Sequence, residues 1–466
     1  MGARWRRHRR KLAVAIAVLG ALPVAHVAVV ATTSIEPPHV AVPPQEAARA
    51  WSRTRAGLHE VYLEGTPEQI GATNARLLRA PMIASETALW GDFERVVPWW
   101  IARTGIEDYS RLRYRHVDAG VPDARRRELA AQALAFAPDP FAARMPTYQR
   151  MLFLSALYDI ALPLEHSPVI GCTSFAIPGE GGHELVARAF DFEGGDEFDR
   201  DKVVYLVRED GAIPFASVAW PGFVGVVTGM NADGVVAVVH GARAGEPDAA
   251  GIPVAFSLRE ALAHGHTAAE AAAILRGQSV MVSHIVFVAD GTGDVAIVER
   301  APGVAATVRT SHGAGWVTNA FEGPLASDPK NLRVKATTTS DDRAARIEEL
   351  LRDAPPDAGP AQALAMLRDH ACARDASCAL GDRRSIDGLI ATHGIVADAT
   401  AHVLWVSVGP HLSGAFVAVS LDDVFRPGHD PDAEPPPRTL PEDPVLHDGR
   451  YQAAMATRAH SDGGPR

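Results

Sequence analysis

The chain has 466 residues, 47% hydrophobic and 22% charged, enough to bury a large core in one sizeable domain or two ordinary ones. Its formal net charge of -11, with 45 Lys and Arg against 56 Asp and Glu and no basic stripe in the body, argues against a nucleic-acid partner. Three cysteines, Cys172, Cys372 and Cys378, are too few for a disulfide scaffold, so the fold must rest on its own core.

Residues 1–31 read as a separate unit. A basic run, RWRRHRRK, precedes the apolar stretch 12–31, LAVAIAVLGALPVAHVAVVA, the order expected of an export signal or a signal anchor. The run is long enough to span a bilayer, although Pro23 and His26 weaken it. A buried core helix with a basic start is the alternative. The expectation is an exported, periplasmic or otherwise extracytoplasmic protein, with residues 12–31 either removed or kept as an inner-membrane anchor. No cysteine stands near enough for a lipid anchor.

Residues 32–55 are Pro-rich and predict a linker. Residues 56–171 read as mostly helical: TPEQ at Thr66–Gln69 offers a hydroxyl cap, a proline at the first helical position and an acid in the first turn. From 172 to 425 the texture becomes β-rich. HELVARAFDF, DKVVYLVRED, FVGVVTGMNADGVVAVVHG and HIVFVADGTGDVAIVERA are short apolar runs broken by Gly and Asp-Gly turns. AAEAAAILR and SDDRAARIEELLRDA are amphipathic helices, the second expected to be capped by Ser340 or a neighbour. AHVLWVSVGP and GAFVAVSLDD supply late strands, and the Pro- and Asp-rich residues 426–466 predict a solvated tail. Strands with interspersed helices imply layered α+β packing.

Cys172, in VIGCTSFAIP, admits three readings. It is a small buried hydrophobe, or a thiol paired with a histidine such as His166 or His183, or a residue whose own α-amine serves as its base. The third requires scission of the Gly171-Cys172 bond. That would expose an amine of reference pKa near ~7.7 beside the thiol, and no histidine would then be needed.

GCTSFA followed by LVARAFDFE resembles the nucleophile region of the penicillin acyltransferase type of N-terminal-nucleophile hydrolases, the C45 peptidase family, related to choloylglycine hydrolases and acid ceramidase. YLEGTPEQIGATNARLL, GFVGVVTGMNADGVVAVV, VTNAF and LWVSVGPHLSGAFVAVSL are similar to other family segments in the same order, over roughly residues 60–423. The resemblance implies a four-layer αββα fold with antiparallel sheets. It also implies self-cleavage at Gly171-Cys172; residues 56–171 are expected to stay bound as the smaller of two processed chains, because their helices would otherwise leave apolar faces unpaired. Cys172 would then be the nucleophile. Arg188 would polarise the thiol, Asp191 would orient the α-amine, and Asn231 and Asn319 would offer amide donors to the oxyanion. Arg343 would support the site electrostatically. Ala189, Ala320 and Asp342 depart from the residues the family often carries there. The implied activity is amide or N-acyl hydrolysis through a thioester, or acyl transfer to an amine. The substrate would be a small acyl-amide or peptide-like molecule, with no cofactor. An uncleaved, noncatalytic relative is the remaining alternative.

Each residue alone also fits a plainer role: Arg188 as an exposed ion pair, Asn231 as a turn residue beside Asp233-Gly234, Asn319 as a cap, Arg343 as a surface charge. Phe175, Phe190, Phe192, Trp220 and Phe223 are the apolar candidates for an acyl pocket. Cys372 and Cys378 are close enough in sequence for a local disulfide. No zinc-type spacing occurs among the 19 histidines, so no metal is expected. GTGDVA sits between two strands and predicts a hairpin turn rather than a phosphate loop.

Overall fold

A computed structural model describes residue 20 and residues 23–44, 49–162, 171–192, 195–374 and 377–462. Two sheets organise the chain. The first has nine strands in the spatial order Ala50–Arg55, Leu58–Gly65, Val203–Glu209, Phe215–Ala219, Thr228–Asn231, Val236–Gly241, His284–Ala289, Asp294–Ala301 and Val304–His312. The second has seven: Gly315–Val317, Thr173–Pro178, Glu184–Asp191, Ala391–Asp398, Val403–Ser407, Phe416–Ser420 and Thr439–Leu440. The second sheet is antiparallel throughout. The first is mixed, because Leu58–Gly65 runs parallel to Val203–Glu209, which corrects the expectation of two purely antiparallel sheets.

Period-two alternation explains the layering. Along Glu184–Asp191, Val186 faces the other sheet, whereas Leu185, Ala187 and Ala189 face Ile347, Leu364 and Leu367 of outer helices. Along His284–Ala289, Ile285, Phe287 and Ala289 enter the inter-sheet core, while Val286 and Val288 face helix residues such as Leu129, Leu258 and Leu275. Both faces of each sheet are therefore apolar, which is why the strands read as near-continuous hydrophobic runs. A fully buried side chain such as Phe287 contributes roughly 1.5–3 kcal/mol. The result is helix, sheet, sheet, helix, broadly as the αββα expectation requires.

Upstream helices are pinned to the first sheet by a buried ring of opposite charges. Arg259 donates to Glu128 at 2.9 Å and to Glu209 at 3.0 Å, and Arg125 bonds the same two carboxylates. The helix Pro67–Leu77 opens with the Thr66/Gln69 reciprocal cap.

Three segment expectations are corrected. Residues 50–55, placed in the linker, form an edge strand, turned into the next strand at Ala56 and Gly57, both with positive φ. Residues 426–466, expected as a solvated tail, are anchored in their described part: Thr439–Leu440 extends the second sheet, His429 and Val445 are buried, and Glu434 pairs with Arg53 and Arg55. Among the described residues no helix is long and apolar enough to cross a membrane. That finding overturns the expected membrane anchor and inner-membrane location. The described end of the stretch is helical over 23–33 and docks on the body: His26 Nδ1 lies 2.9 Å from Asp108, and Gln149 donates to the Thr33 carbonyl at 3.0 Å. Residues 1–19, 21 and 22 lie outside the described residues.

Candidate active site

Cys172 is fully buried and immediately precedes the strand Thr173–Pro178, level with Phe190 on the neighbouring strand Glu184–Asp191. Arg188, on the same strand two residues before Phe190, points between the sheets. Its Nη2 donates to Cys172 Sγ at 3.5 Å and to Val239 O at 2.7 Å. Its Nη1 donates to Val227 O at 2.8 Å and Thr228 Oγ1 at 2.6 Å, and the Phe190 ring lies 4.5 Å from its guanidinium carbon. The hydrogen-bond partners of this buried cation are neutral oxygens and the sulfur. Its charge is therefore directed at the thiol, where it favours the thiolate. Burial pushes the Cys172 thiol up, Arg188 pulls it down, and Asp191 pushes it up again.

Asn319 follows the strand Gly315–Val317, an edge neighbour of Thr173–Pro178. Its Oδ1 accepts from Cys172 N at 2.7 Å and from Arg343 Nη2 at 2.8 Å, while its Nδ2 donates to Gly241 O at 2.9 Å. In the intact chain it thus acts as an acceptor for the residue-172 nitrogen, not as the expected oxyanion donor. Arg343 also bonds Cys172 O and donates to Thr173 Oγ1 at 2.8 Å. Of Ser340 and its neighbours, the expected caps, Thr339 takes the cap position without a side-chain cap bond, and the buried first residue of the helix Ser340–Asp353 is Ser340. Its Oγ accepts from Asn319 N at 3.1 Å and lies 2.9 Å from Thr318 Oγ1, so this one hydroxyl ties the arginine-bearing helix to the asparagine.

Gly171 N donates to the Asp191 carbonyl at 3.2 Å. A Cβ placed on Gly171 would stand 3.7 Å from each of three charged atoms: Asp191 Oδ2, Arg343 Nη2 and Arg383 Nη2. Charged groups thus converge beside the residue that precedes the cysteine. Burial pushes the Asp191 carboxyl up to about 7. Arg343 and Arg383 act to lower it, Asp387 to raise it and Arg188 to lower it. A carboxyl poised there can hold a neighbouring amine and exchange a proton with it near neutrality.

Asn231 does not join this group as a donor. Its two amide hydrogens are spent on Leu262 O at 2.9 Å and Gly265 O at 2.8 Å, and its Oδ1 accepts from the nitrogens of Asp233 and Val235. It fastens the Asn231–Val235 turn to the end of the helix Val254–His264, which corrects its expected oxyanion role. His183 is also remote: it pairs with Asp398 at 2.8 Å, at the far end of the strand from Cys172, roughly 20 Å away at the rise of extended chain. His166 lies outside the described residues.

Four of the five apolar candidates gather on the side of Cys172. Phe190, Phe192, Trp220 and Phe223 belong to or pack against its core cluster, and Phe190 and Trp220 centroids are 6.0 Å apart. Phe175 faces the outer helices instead. Cys372 and Cys378 form a disulfide with Cα atoms 5.6 Å apart. Asp382 completes a cluster whose ligand atoms lie within 4.8 Å of one another, but sulfurs joined to each other are not thiolate metal ligands.

Sequence reasoning missed Arg383, Tyr158 and His240. Arg383 sits in an irregular loop with no motif. Tyr158 lies in an apolar helical run that reads as core. His240 lies near the end of an apolar strand, and its Nε2 is 2.8 Å from Ser174 Oγ. Burial, then the charges of Arg188 and Arg343, hold that imidazole well below its ordinary range and neutral.

A family profile described as acyl-coenzyme A:6-aminopenicillanic acid acyl-transferase matches residues 179–385, a span that includes Arg188, Asp191, Asn231, Asn319, Arg343 and Arg383 and begins shortly after Cys172. Similar solved structures include an N-acylethanolamine-hydrolyzing acid amidase ortholog from Caenorhabditis elegans, at 14% identity and TM-score 0.37, covering 49% of this chain and 93% of that one. Penicillin V acylase from Agrobacterium tumefaciens is 19% identical at TM-score 0.36, with 53% and 91% covered. A mutant form of the conjugated bile acid hydrolase from Clostridium perfringens is 11% identical at TM-score 0.38, with 58% and 97% covered. A search of curated proteins finds no match. Over residues 179–385, less than half of its length, the chain is similar to that acyl-transferase family.

Proposed function

We propose that this protein is a self-processing cysteine N-terminal-nucleophile enzyme that cleaves an amide or N-acyl bond. The observation that carries the reading is the donation from Arg188, a buried cation with no carboxylate among its hydrogen-bond partners, to Cys172 Sγ, with Asn319 Oδ1 on the nitrogen of that same cysteine.

In processing, Cys172 Sγ attacks the Gly171 carbonyl carbon and the Gly171-Cys172 C–N bond breaks. The thiol proton passes to the departing nitrogen, leaving a thioester. Water hydrolyses it, giving a Gly171 carboxylate and a free α-amine on Cys172. That amine keeps its Asn319 contact and gains Asp191 as an ionic neighbour. In turnover the amine takes the thiol proton as sulfur attacks the substrate carbonyl, then delivers it to the leaving amine as the C–N bond breaks. Water cleaves the resulting thioester, returning the thiol and a carboxylic acid. The aromatic cluster of Phe190, Phe192, Trp220 and Phe223 supports an apolar acyl group. Residues 56–171 supply the strand Leu58–Gly65, which bridges Ala50–Arg55 and Val203–Glu209, and helices covering the first sheet. That shared packing supports their remaining bound after scission.

A second reading, transfer of the acyl group to an amine instead of water, is favoured by the acyltransferase description of the matching profile. Both readings share one acyl-enzyme. Incubation with p-nitrophenyl phenylacetate, a generic acyl donor, is expected to give a burst of p-nitrophenolate matching the enzyme concentration, followed by slower turnover. Cys172→Ala should abolish both phases. Equal release from the variant would remove Cys172 from the chemistry.

A further inference from the structure

Tyr158 lies on the short helix Leu157–Ala161, in the segment upstream of the cysteine. That helix is fixed in place: both Asp159 carboxylate oxygens accept from Val254 N at 3.1 Å, and Ser155 Oγ just before it accepts from Val224 N at 3.2 Å. The Tyr158 side chain is 8% exposed and shares the core cluster of Cys172 and Phe190. Among the described residues its hydroxyl has no hydrogen-bond partner. The charges it senses are those of Cys172, Asp159 and Arg188, and Arg188 senses Tyr158 in turn. Burial holds the hydroxyl well above its ordinary range, so it stays protonated and can donate throughout.

Of the donors expected around Cys172, those of Asn231, Asn319 and Arg343 are committed, whereas Arg188 Nε is buried without a partner among the described residues. Asn231 gives both amide hydrogens to backbone carbonyls, and Asn319 Nδ2 is given to Gly241 O. Arg343 is bound to Cys172 O, Thr173 Oγ1 and Asn319 Oδ1. Yet an acyl carbon attacked by sulfur develops charge on its oxygen, which needs a donor placed in advance. A buried hydroxyl left unmatched in the resting protein is costly, and such groups mark sites where a partner arrives.

We infer that the Tyr158 hydroxyl is a catalytic hydrogen-bond donor to the carbonyl oxygen of the acyl group attacked by Cys172, the place expected for Asn231. This rests on the acyl-transfer reading above. It also makes the upstream segment part of the active site: after scission the smaller chain supplies the donor and the larger chain supplies the nucleophile.

The test is Tyr158→Phe, assayed with p-nitrophenyl phenylacetate beside wild type and Cys172→Ala, together with melting curves. The acylation rate is expected to fall roughly 100-fold, the loss typical of one oxyanion donor. KM should stay within about twofold, because the bond forms only as charge develops. The melting temperature should be equal or higher, since an unmatched buried hydroxyl has been removed. An unchanged acylation rate overturns the inference and leaves the acyl-transfer reading standing. A clearly lower melting temperature overturns it too, by revealing a structural partner. Absence of any Cys172-dependent release from wild type overturns the reading and the inference with it.

Discussion

Arg188→Met is expected to lower Cys172-dependent acyl transfer by roughly 100- to 1000-fold, as loss of a preorganised charge-stabilising group does. Burial already disfavours the thiolate, and the guanidinium 3.5 Å from Sγ is the largest influence opposing it. Methionine preserves much of the volume and removes the charge. It also strands the Val239 carbonyl between the sheets, at roughly 1–3 kcal/mol, while Val227 O keeps the Val239 N–H, so the melting temperature should fall as well. Arg188→Lys separates the two effects. An ammonium keeps the charge but cannot span three backbone and side-chain oxygens and a sulfur with a planar fork, so partial activity with reduced stability is expected. A fully active Arg188→Met protein would contradict the assignment.

Arg343→Met should act through pH as well as rate. Asp191 must be ionised to hold the α-ammonium of processed Cys172, and its carboxyl stands at about 7. That value is for the uncut chain and the new ammonium lowers it, so activity should rise with pH through a range below it. Arg343 is the foremost of the charges that hold Asp191 down, ahead of Arg383, with Asp387 opposing and Arg188 assisting. Without Arg343 the Asp191 pKa rises, and the acid limb of the pH–rate profile should move up by about one unit or more. The rate on the plateau should fall roughly 100-fold, because Cys172 O and Asn319 Oδ1 lose a shared donor. A lower plateau with an unmoved acid limb would detach Arg343 from Asp191.

The strands are legible in the sequence because both faces of each sheet are covered, so runs such as HIVFVA are apolar at nearly every position and end at Gly or Asp turns. The parallel pairing of Leu58–Gly65 with Val203–Glu209 is not, since its partners lie far apart in sequence and no local pattern records direction. Arg188, Asp191, Asn319 and Arg343 are named from a resemblance, and the structure brings all four to Cys172 or to the glycine before it. Asn231 illustrates the limit. Its plain reading as a turn residue is the one the structure uses, because the carbonyls that consume its amide belong to a helix end some 31 and 34 residues on. Arg383 and Tyr158 carry no motif at all. One stands in an irregular loop and the other in an apolar helical run, and only packing reveals what each faces. Likewise, Glu434 reads as a solvated acid until Arg53 and Arg55 are seen to close on it.

The most direct measurement is denaturing intact mass with N-terminal sequencing of the purified full chain and of Cys172→Ala. Two fragments from the wild type, one beginning Cys-Thr-Ser-Phe-Ala, and a single uncut variant chain are the expected result. An uncut chain in both would contradict the terminal-amine mechanism, and an internal thiol or a noncatalytic role would have to replace it.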